Sequence, residues 1–286
     1  MRTVILIALL CLLGTALAGS GPIFVNAKTG KALEASQLAR QLKKYDLIFF
    51  GEWHGNAAIH SAQASLLREL QAVDPRLALS FEMFERDVQT WLDQYLLGEI
   101  TEEEFLAYSR PWPNYATDYR PLVEFAREQG LPAIAANVPR PLAGRAARLG
   151  EKFLEELADD EKAWVAERIS APEGKYKERF LATMRQNMGH GDPGDAQLYD
   201  NLFLAQCVKD DTMAESILQA RQRFPKHRII HFNGDFHSRE SLGTVERVLE
   251  RSPKLKAAVI SPLAEGETIP EGAERIADWF ILAPRE

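Results

Sequence analysis

Cysteine is scarce in this chain. Among 286 residues there are two, and the first, Cys11, lies in an N-terminal apolar run, Val4 to Leu13. That run is too short to cross a bilayer comfortably. Arg2 precedes it and the small-x-small triplet Ala16-Leu17-Ala18 follows it, so residues 1–18 read as a secretory signal peptide. Leu9 and Leu10 stand where a lipidation site would need small residues, so Cys11 is expected to leave with the peptide. The mature chain then starts at Gly19, is soluble, and is exported to the periplasm or beyond. It keeps Cys207 alone, which excludes an intramolecular disulfide. With Leu204, Ala205 and Val208 around it, Cys207 reads as a small buried hydrophobe. Basic runs are absent too. The net charge is −7, and removing Arg2 makes the mature chain more acidic, which argues against a nucleic-acid partner. There is no Gly-x-Gly-x-x-Gly, Walker motif, Gly-x-Ser-x-Gly elbow or His-Glu-x-x-His, so nucleotide-binding and serine-hydrolase readings lose their main support. No internal repeat or low-complexity segment appears.

What is present is a repeated strand-then-polar-turn pattern. Leu47-Ile48-Phe49-Phe50 runs into Gly51-Glu52-Trp53-His54-Gly55-Asn56, after which Ile59, Ala62, Leu66, Leu67 and Leu70 recur at helical spacing. Four successive apolar residues fit a strand covered on both faces, and Asn56 can cap the helix that follows. Leu77 to Phe81 reads as a second strand ending at Glu82, with a helix from Met83-Phe84-Glu85-Arg86 to about Leu97. Thr101-Glu102-Glu103-Glu104 is a capping-box start. Ser109 to Tyr115 holds too many prolines for regular structure and fits either a binding loop or a packed surface loop. A helix from about Asp118 to Gln129 stops at Gly130. Leu131 to Ala136 is a third strand that delivers Asn137, with Arg140 just beyond. From about 142 to 224 the pattern is almost wholly helical. Eighty residues without a strand read as a helical insertion over the sheet, its glycine loops at 171–174 and 189–194 serving as hinges. Arg228 to Phe232 is a fourth strand ending in Asn233-Gly234-Asp235-Phe236-His237. Ala257 to Ile260 and Phe280 to Ala283 are a fifth and sixth, short and near the margin.

The expected fold is therefore α/β, a mainly parallel sheet flanked by helices, with residues 19–286 forming one domain. Ligands bind such sheets at the carboxyl ends of the strands. There the chain gathers Glu52, Trp53, His54, Glu82, Asn137, Arg140, Asp235 and His237. Imidazole with carboxylate suits a divalent transition metal or an activated water. His54 and His237 stand out because each closes a Gly-x-x-His turn after an apolar strand. His60 and His227 read as capping or solvated residues and His231 as packed within its strand, while His190 in a glycine loop stays open.

Five separated stretches carry a resemblance. Gly51-Glu52-Trp53-His54-Gly55, Phe81-Glu82-Met83-Phe84, Ala135 to Arg140, the helix from Ala205-Gln206 to Ala214, and Gly234 to Arg239 are similar, in that order, to the ChaN family of haem-binding, iron-regulated bacterial proteins. That family sits in a wider group with the Tiki metalloproteases and the erythromycin esterases. The resemblance implies haem held in a dimer interface, a tyrosine iron ligand and a histidine near the cofactor. Tyr176 of Lys175-Tyr176-Lys177-Glu178-Arg179-Phe180 best matches the family's Tyr-x-x-x-Phe helix, with Tyr115, Tyr119 and Tyr199 as competitors. His54, Tyr176, Trp53, Asn137 and Arg140 would then serve haem, in a protein of iron acquisition that meets outer-membrane uptake components. The Tiki and esterase relatives imply a second reading, a metal-dependent hydrolase in which His54, His237 and Glu82 hold a divalent metal and Glu52 or Glu82 works on its water. The haem reading carries a further expectation: His54 touches the cofactor, and His237 lies deeper, hydrogen-bonded to a carboxylate such as Glu82.

Overall fold

The computed structural model describes residues 21–187 and 196–285; the expected signal peptide, His190 and the 189–194 loop lie outside them. The described chain opens with a hairpin, β1 (Ile23–Asn26) and β2 (Ala32–Glu34), then α1 (Ala35–Leu42). Next come β3 (Leu47–Glu52), α2 (Ala57–Val73), β4 (Leu77–Glu85), α3 (Gln89–Leu97), α4 (Glu102–Ser109), α5 (Arg120–Gln129), β5 (Ala133–Asn137) and α6 (Arg140–Leu149). The second half holds α7 (Lys152–Glu155), α8 (Lys175–Asn187), α9 (Ala196–Arg223), β6 (Arg228–Gly234), α10 (Thr244–Arg251), β7 (Ala257–Ala264) and β8 (Trp279–Ala283).

One mixed sheet runs β2-β1-β8-β7-β3-β6-β4-β5. The six strands from β8 to β5 are parallel, and the β1–β2 hairpin joins β8 antiparallel. Within each apolar run alternate residues face opposite layers, as strand geometry requires. Ile48, Phe50, Leu79, Phe81, Ile230 and Phe232 pack under α1, α2, α3 and α5. Leu47, Phe49, Ala78, Ile229 and Val259 pack under α9 and α10. Burying each of the Leu, Ile, Val and Phe side chains among these is worth roughly 1.5–3 kcal/mol.

Several boundaries differ from the sequence reading. β4 continues through Glu82 to Glu85, all buried, where a helix start was expected; a single 3₁₀ turn, Arg86–Val88, precedes α3. Glu82 read as the strand's end and Glu85 as part of a helix start, but Glu82 meets His237 at 3.3 Å and Glu85 meets Arg110 at 2.8 Å. The register slips between Phe81 and Glu85, a bulge that turns Glu82 away from simple alternation. β7 lies beside β3 in mid-sheet, not at the margin, and extends past Ser261-Pro262. Its pairing with β3 ends at Ile260, so the missing N–H of Pro262 costs no bond on that side. The hairpin β1–β2 was not foreseen. The helical insertion is only partly helical: between α7 and α8 it is irregular apart from a 3₁₀ turn at Glu161–Trp164. Asp118 belongs to a π-helical turn, Tyr115–Tyr119, ahead of α5.

The two outer strands end the sheet in different ways. β2 is three residues long. Along β5 the side chain of Gln89 acts as a surrogate strand, donating to Ala133 O at 2.9 Å and accepting from Ala135 N at 2.7 Å.

Candidate functional site

Over the carboxyl ends of β3, β6, β4 and β5 lies a cavity of about 830 Å³. Glu52, Trp53 and His54 come from the end of β3 and its turn, Glu82 and Glu85 from β4, Asn137 and Arg140 from β5 and the start of α6, and Gly234 to His237 from β6. α8 and α9 close it from above with Arg179, Phe180, Met184, Gln206 and Lys209. All of the strand-end residues named from the sequence therefore meet in one place. The Ser109–Tyr115 loop splits its two aromatics: Trp112 lines the cavity edge-on to His54, ring centroids 5.0 Å apart, while Tyr115 enters the core.

Two histidine–carboxylate arrangements stand side by side. In the first, His54 Nδ1 is 2.9 Å from Glu52 Oε1, and the imidazole side chain is 48% exposed to the cavity. Glu52 is buried and fixed from behind: Tyr119 Oη donates to Oε1 at 2.7 Å and Gln63 Nε2 to Oε2 at 2.8 Å. His60 closes the same network between Gln63 and Asp118, at 3.0 and 3.1 Å. It is a buried structural histidine, not the capping or solvated residue expected. A carboxylate on Nδ1 sets the tautomer that leaves Nε2 as a donor atom. Burial alone would lower the His54 pKa, but the hydrogen bond that its Nδ1 donates to Glu52 and the charges of Glu82 and Glu52 raise it overall. Nε2 has no hydrogen-bond partner among the described residues and lies over Gly234, where an added Cβ would come within 2.8 Å of it.

In the second arrangement, His237 is buried between Asp210, 2.8 Å from Nδ1, and Glu82, 3.3 Å from Nε2. Desolvation opposes its charge, yet the two carboxylates outweigh it and carry the pKa up to about 10. The imidazolium in turn holds Glu82 and Asp210 below the usual carboxylate range against their own burial. Glu82 Oε2 also accepts from Gly234 N at 2.6 Å, and Asp210 Oδ1 from Thr244 Oγ1 at 2.8 Å. Asp210, in mid-α9, was not singled out in the sequence; a charged residue on a long helix carries no local sign of a partner 27 positions away.

The structure does not bring Tyr176 to the cavity. Its ring is buried against Phe203 and Phe236, and its hydroxyl donates to Asp210 Oδ2 at 2.5 Å. Burial, then the Asp210 charge, pushes the phenol well above its ordinary pKa, away from phenolate. Tyr119 is committed to Glu52, and Tyr115 packs in the core. Among the described residues no tyrosine lines the cavity. Cys207 is free and buried, and His231 is packed inside β6 against Ser80. No group of three or more His, Cys, Asp or Glu among the described residues is placed to hold a metal ion.

A mainly parallel sheet with a cavity over its carboxyl edge, walled by helices from the long insertion, defines the class as an α/β fold. The chain belongs to the family described as haem-binding uptake, Tiki superfamily, ChaN, whose model matches residues 38–248. The structure of cofacial haem binding to ChaN of Campylobacter jejuni superposes with a TM-score of 0.74 at 14% identity, covering 93% of this chain and 98% of that one. An erythromycin esterase mutant in its open conformation follows at 0.50 and 13%, covering 91% and 83%. The type III effector HopBA1 gives 0.51 at 11%, covering 88% and 94%. Identities this low speak for the fold alone. No curated protein matches the chain. Among the described residues no helix is long and apolar enough to cross a membrane.

Proposed function

We propose that this chain binds haem in the carboxyl-edge cavity and works as an exported protein of iron uptake. The observation that carries the reading is His54, whose Nδ1 is held by a buried carboxylate while its Nε2 stands free at an open cavity. The residues fit the group. Trp53, Trp112, Val138, Phe180, Met184 and Phe236 offer apolar and aromatic wall, and a carboxylate-oriented imidazole such as His54 would serve as a donor to haem iron. The volume lies within the span of small-molecule sites, roughly 300–1,000 Å³. Bound haem would supply the iron; the protein's part is to orient it and shield one face. His54 is favoured over Tyr176 as the donor because the Tyr176 hydroxyl is already spent on Asp210.

A visible-absorption titration with haem tests this. Wild type is expected to give a histidine-ligated spectrum that His54→Ala loses and added imidazole partly restores, with little change in melting temperature. Tyr176→Phe is expected to keep it. A tyrosinate-type spectrum that survives in His54→Ala and disappears in Tyr176→Phe would return the ligand to the tyrosine. Export and a haem-linked homodimer complete the proposal: intact mass should place the mature N-terminus at Gly19, and size exclusion should shift on haem addition. The hydrolase reading draws support from the likeness in fold to an erythromycin esterase. Stoichiometric divalent metal lost equally in His54→Ala and His237→Ala, with haem binding untouched, would favour it instead.

A further inference from the structure

The cavity has four Lys and Arg side chains in its lining, and they are not equivalent. Arg179 is consumed by the carbonyls of Phe236 and Arg239, at 2.6 and 2.8 Å, and by Glu240. Arg239 pairs with Asp235 at 3.3 Å. Arg140 is different: its nearest carboxylate, Glu85, is 3.9 Å away and is already bonded to Arg110 at 2.8 Å. Lys209 has no hydrogen-bond or ion-pair partner among the described residues, although it stands on α9 beside the cavity.

Arg140 also belongs to a second, smaller hollow of about 420 Å³, lined by Glu85, Arg110, Arg140, Pro141, Gly144 and Arg148. Glu85 and Arg140 line both, so this hollow adjoins the main cavity. Arg140, Gly144 and Arg148 are spaced by four on α6, so they share one helix face. Gly144 leaves the gap between the two guanidiniums open, since a Cβ there would touch only Arg148 Nη1, at 3.7 Å. Arg110 is satisfied by Glu85 and Asp87, the latter at 2.7 Å, whereas Arg148 has no anionic partner among the described residues. Lys209 and Arg140 thus line the aromatic-walled cavity and Arg140 and Arg148 the side groove; Lys209 and Arg148 have no carboxylate partner among the described residues, and Arg140 shares Glu85 with Arg110.

We propose that this junction is a carboxylate subsite: Lys209 and Arg140 receive the acidic side chains of the bound ligand where it leaves the apolar cavity, and the Arg140–Arg148 groove accommodates the second. The ligand class is a flat apolar ring system with carboxylates on one edge, which rests on the haem reading and makes the free acid, not merely the macrocycle, the thing recognised. Arginine in a fixed fork suits a carboxylate bidentately, and lysine adds a mobile point charge.

Binding of haem and of haem dimethyl ester is measured by absorption titration for wild type, Arg148→Gln, Arg140→Gln and Lys209→Met, at low and high salt. Wild type should prefer the free acid, and the preference should shrink with salt. Each substitution should weaken free-acid binding by about five- to tenfold while leaving the ester unchanged. Arg148→Gln is the cleanest arm, because that residue is outside the main cavity. Equal affinity for acid and ester in wild type, or substitutions that weaken both ligands alike, would overturn the subsite while leaving the haem reading standing. Failure of wild type to bind either ligand would overturn the haem reading, and the subsite with it.

Discussion

Substituting alanine for Gly234 would put a Cβ 2.8 Å from His54 Nε2 and 2.9 Å from its Cε1, inside any tolerable contact, so the imidazole must move or the β6 terminus must shift. Because His54 is half-exposed and hinged at its own turn, it is expected to yield first. Gly234→Ala should abolish the haem spectrum and cost little in melting temperature. His237 presents the opposite case. Removing it leaves Glu82 and Asp210 as uncompensated buried charges, expected to cost about 3–5 kcal/mol. Its pKa rises on folding from 6.5 to about 10, so its contribution to stability is complete below about pH 6.5 and fades as pH climbs toward 10. The lowered Glu82 and Asp210 act at the other end, stabilising above their ordinary range and losing that effect as pH falls. Thermal melts across this range should show both limbs in wild type, with the alkaline limb flattened in His237→Gln.

At the level of elements, α2 shows how a turn residue serves both helix and site. Asn56 Oδ1 accepts from Ile59 N at 3.2 Å, and its Nδ2 donates to Pro284 O at 2.8 Å, tying the helix start to the chain's end. Asn56→Ala should cost about 1 kcal/mol from the lost cap, measurable by urea unfolding. Asn56 and the Gly-x-x-His turns were readable in the sequence because their signals are local: a cap before a periodic run, a glycine after an apolar one. Glu52, Glu82, Asn137, Arg140 and His237 were readable as residues at a shared edge, since strand ends in parallel sheets converge. What was not readable depends on contacts far apart in the chain. Tyr119, Gln63 and Asp210 gain meaning only once α2, α9 and the π-helical turn are placed. β4 outran its expected end because partners elsewhere neutralise its carboxylates, and β1 and β2 were missed because runs of four and three residues give periodicity too little to act on.

For the molecule as a whole, the cavity and its basic residues lie over the carboxyl edge of the sheet, leaving the lateral borders to be managed separately. The sheet is open, and open sheets end in backbone groups that could pair with another copy of the same chain. β2 limits that risk by brevity. β5 limits it through Gln89, whose amide occupies the two backbone positions, Ala133 O and Ala135 N, that a ninth strand would need first. Gln89→Leu keeps the bulk and removes both bonds, so haem affinity should hold while thioflavin-positive assembly on mild heating accelerates. One side-chain amide thus stands between a solitary folded sheet and the templated growth of a fibre.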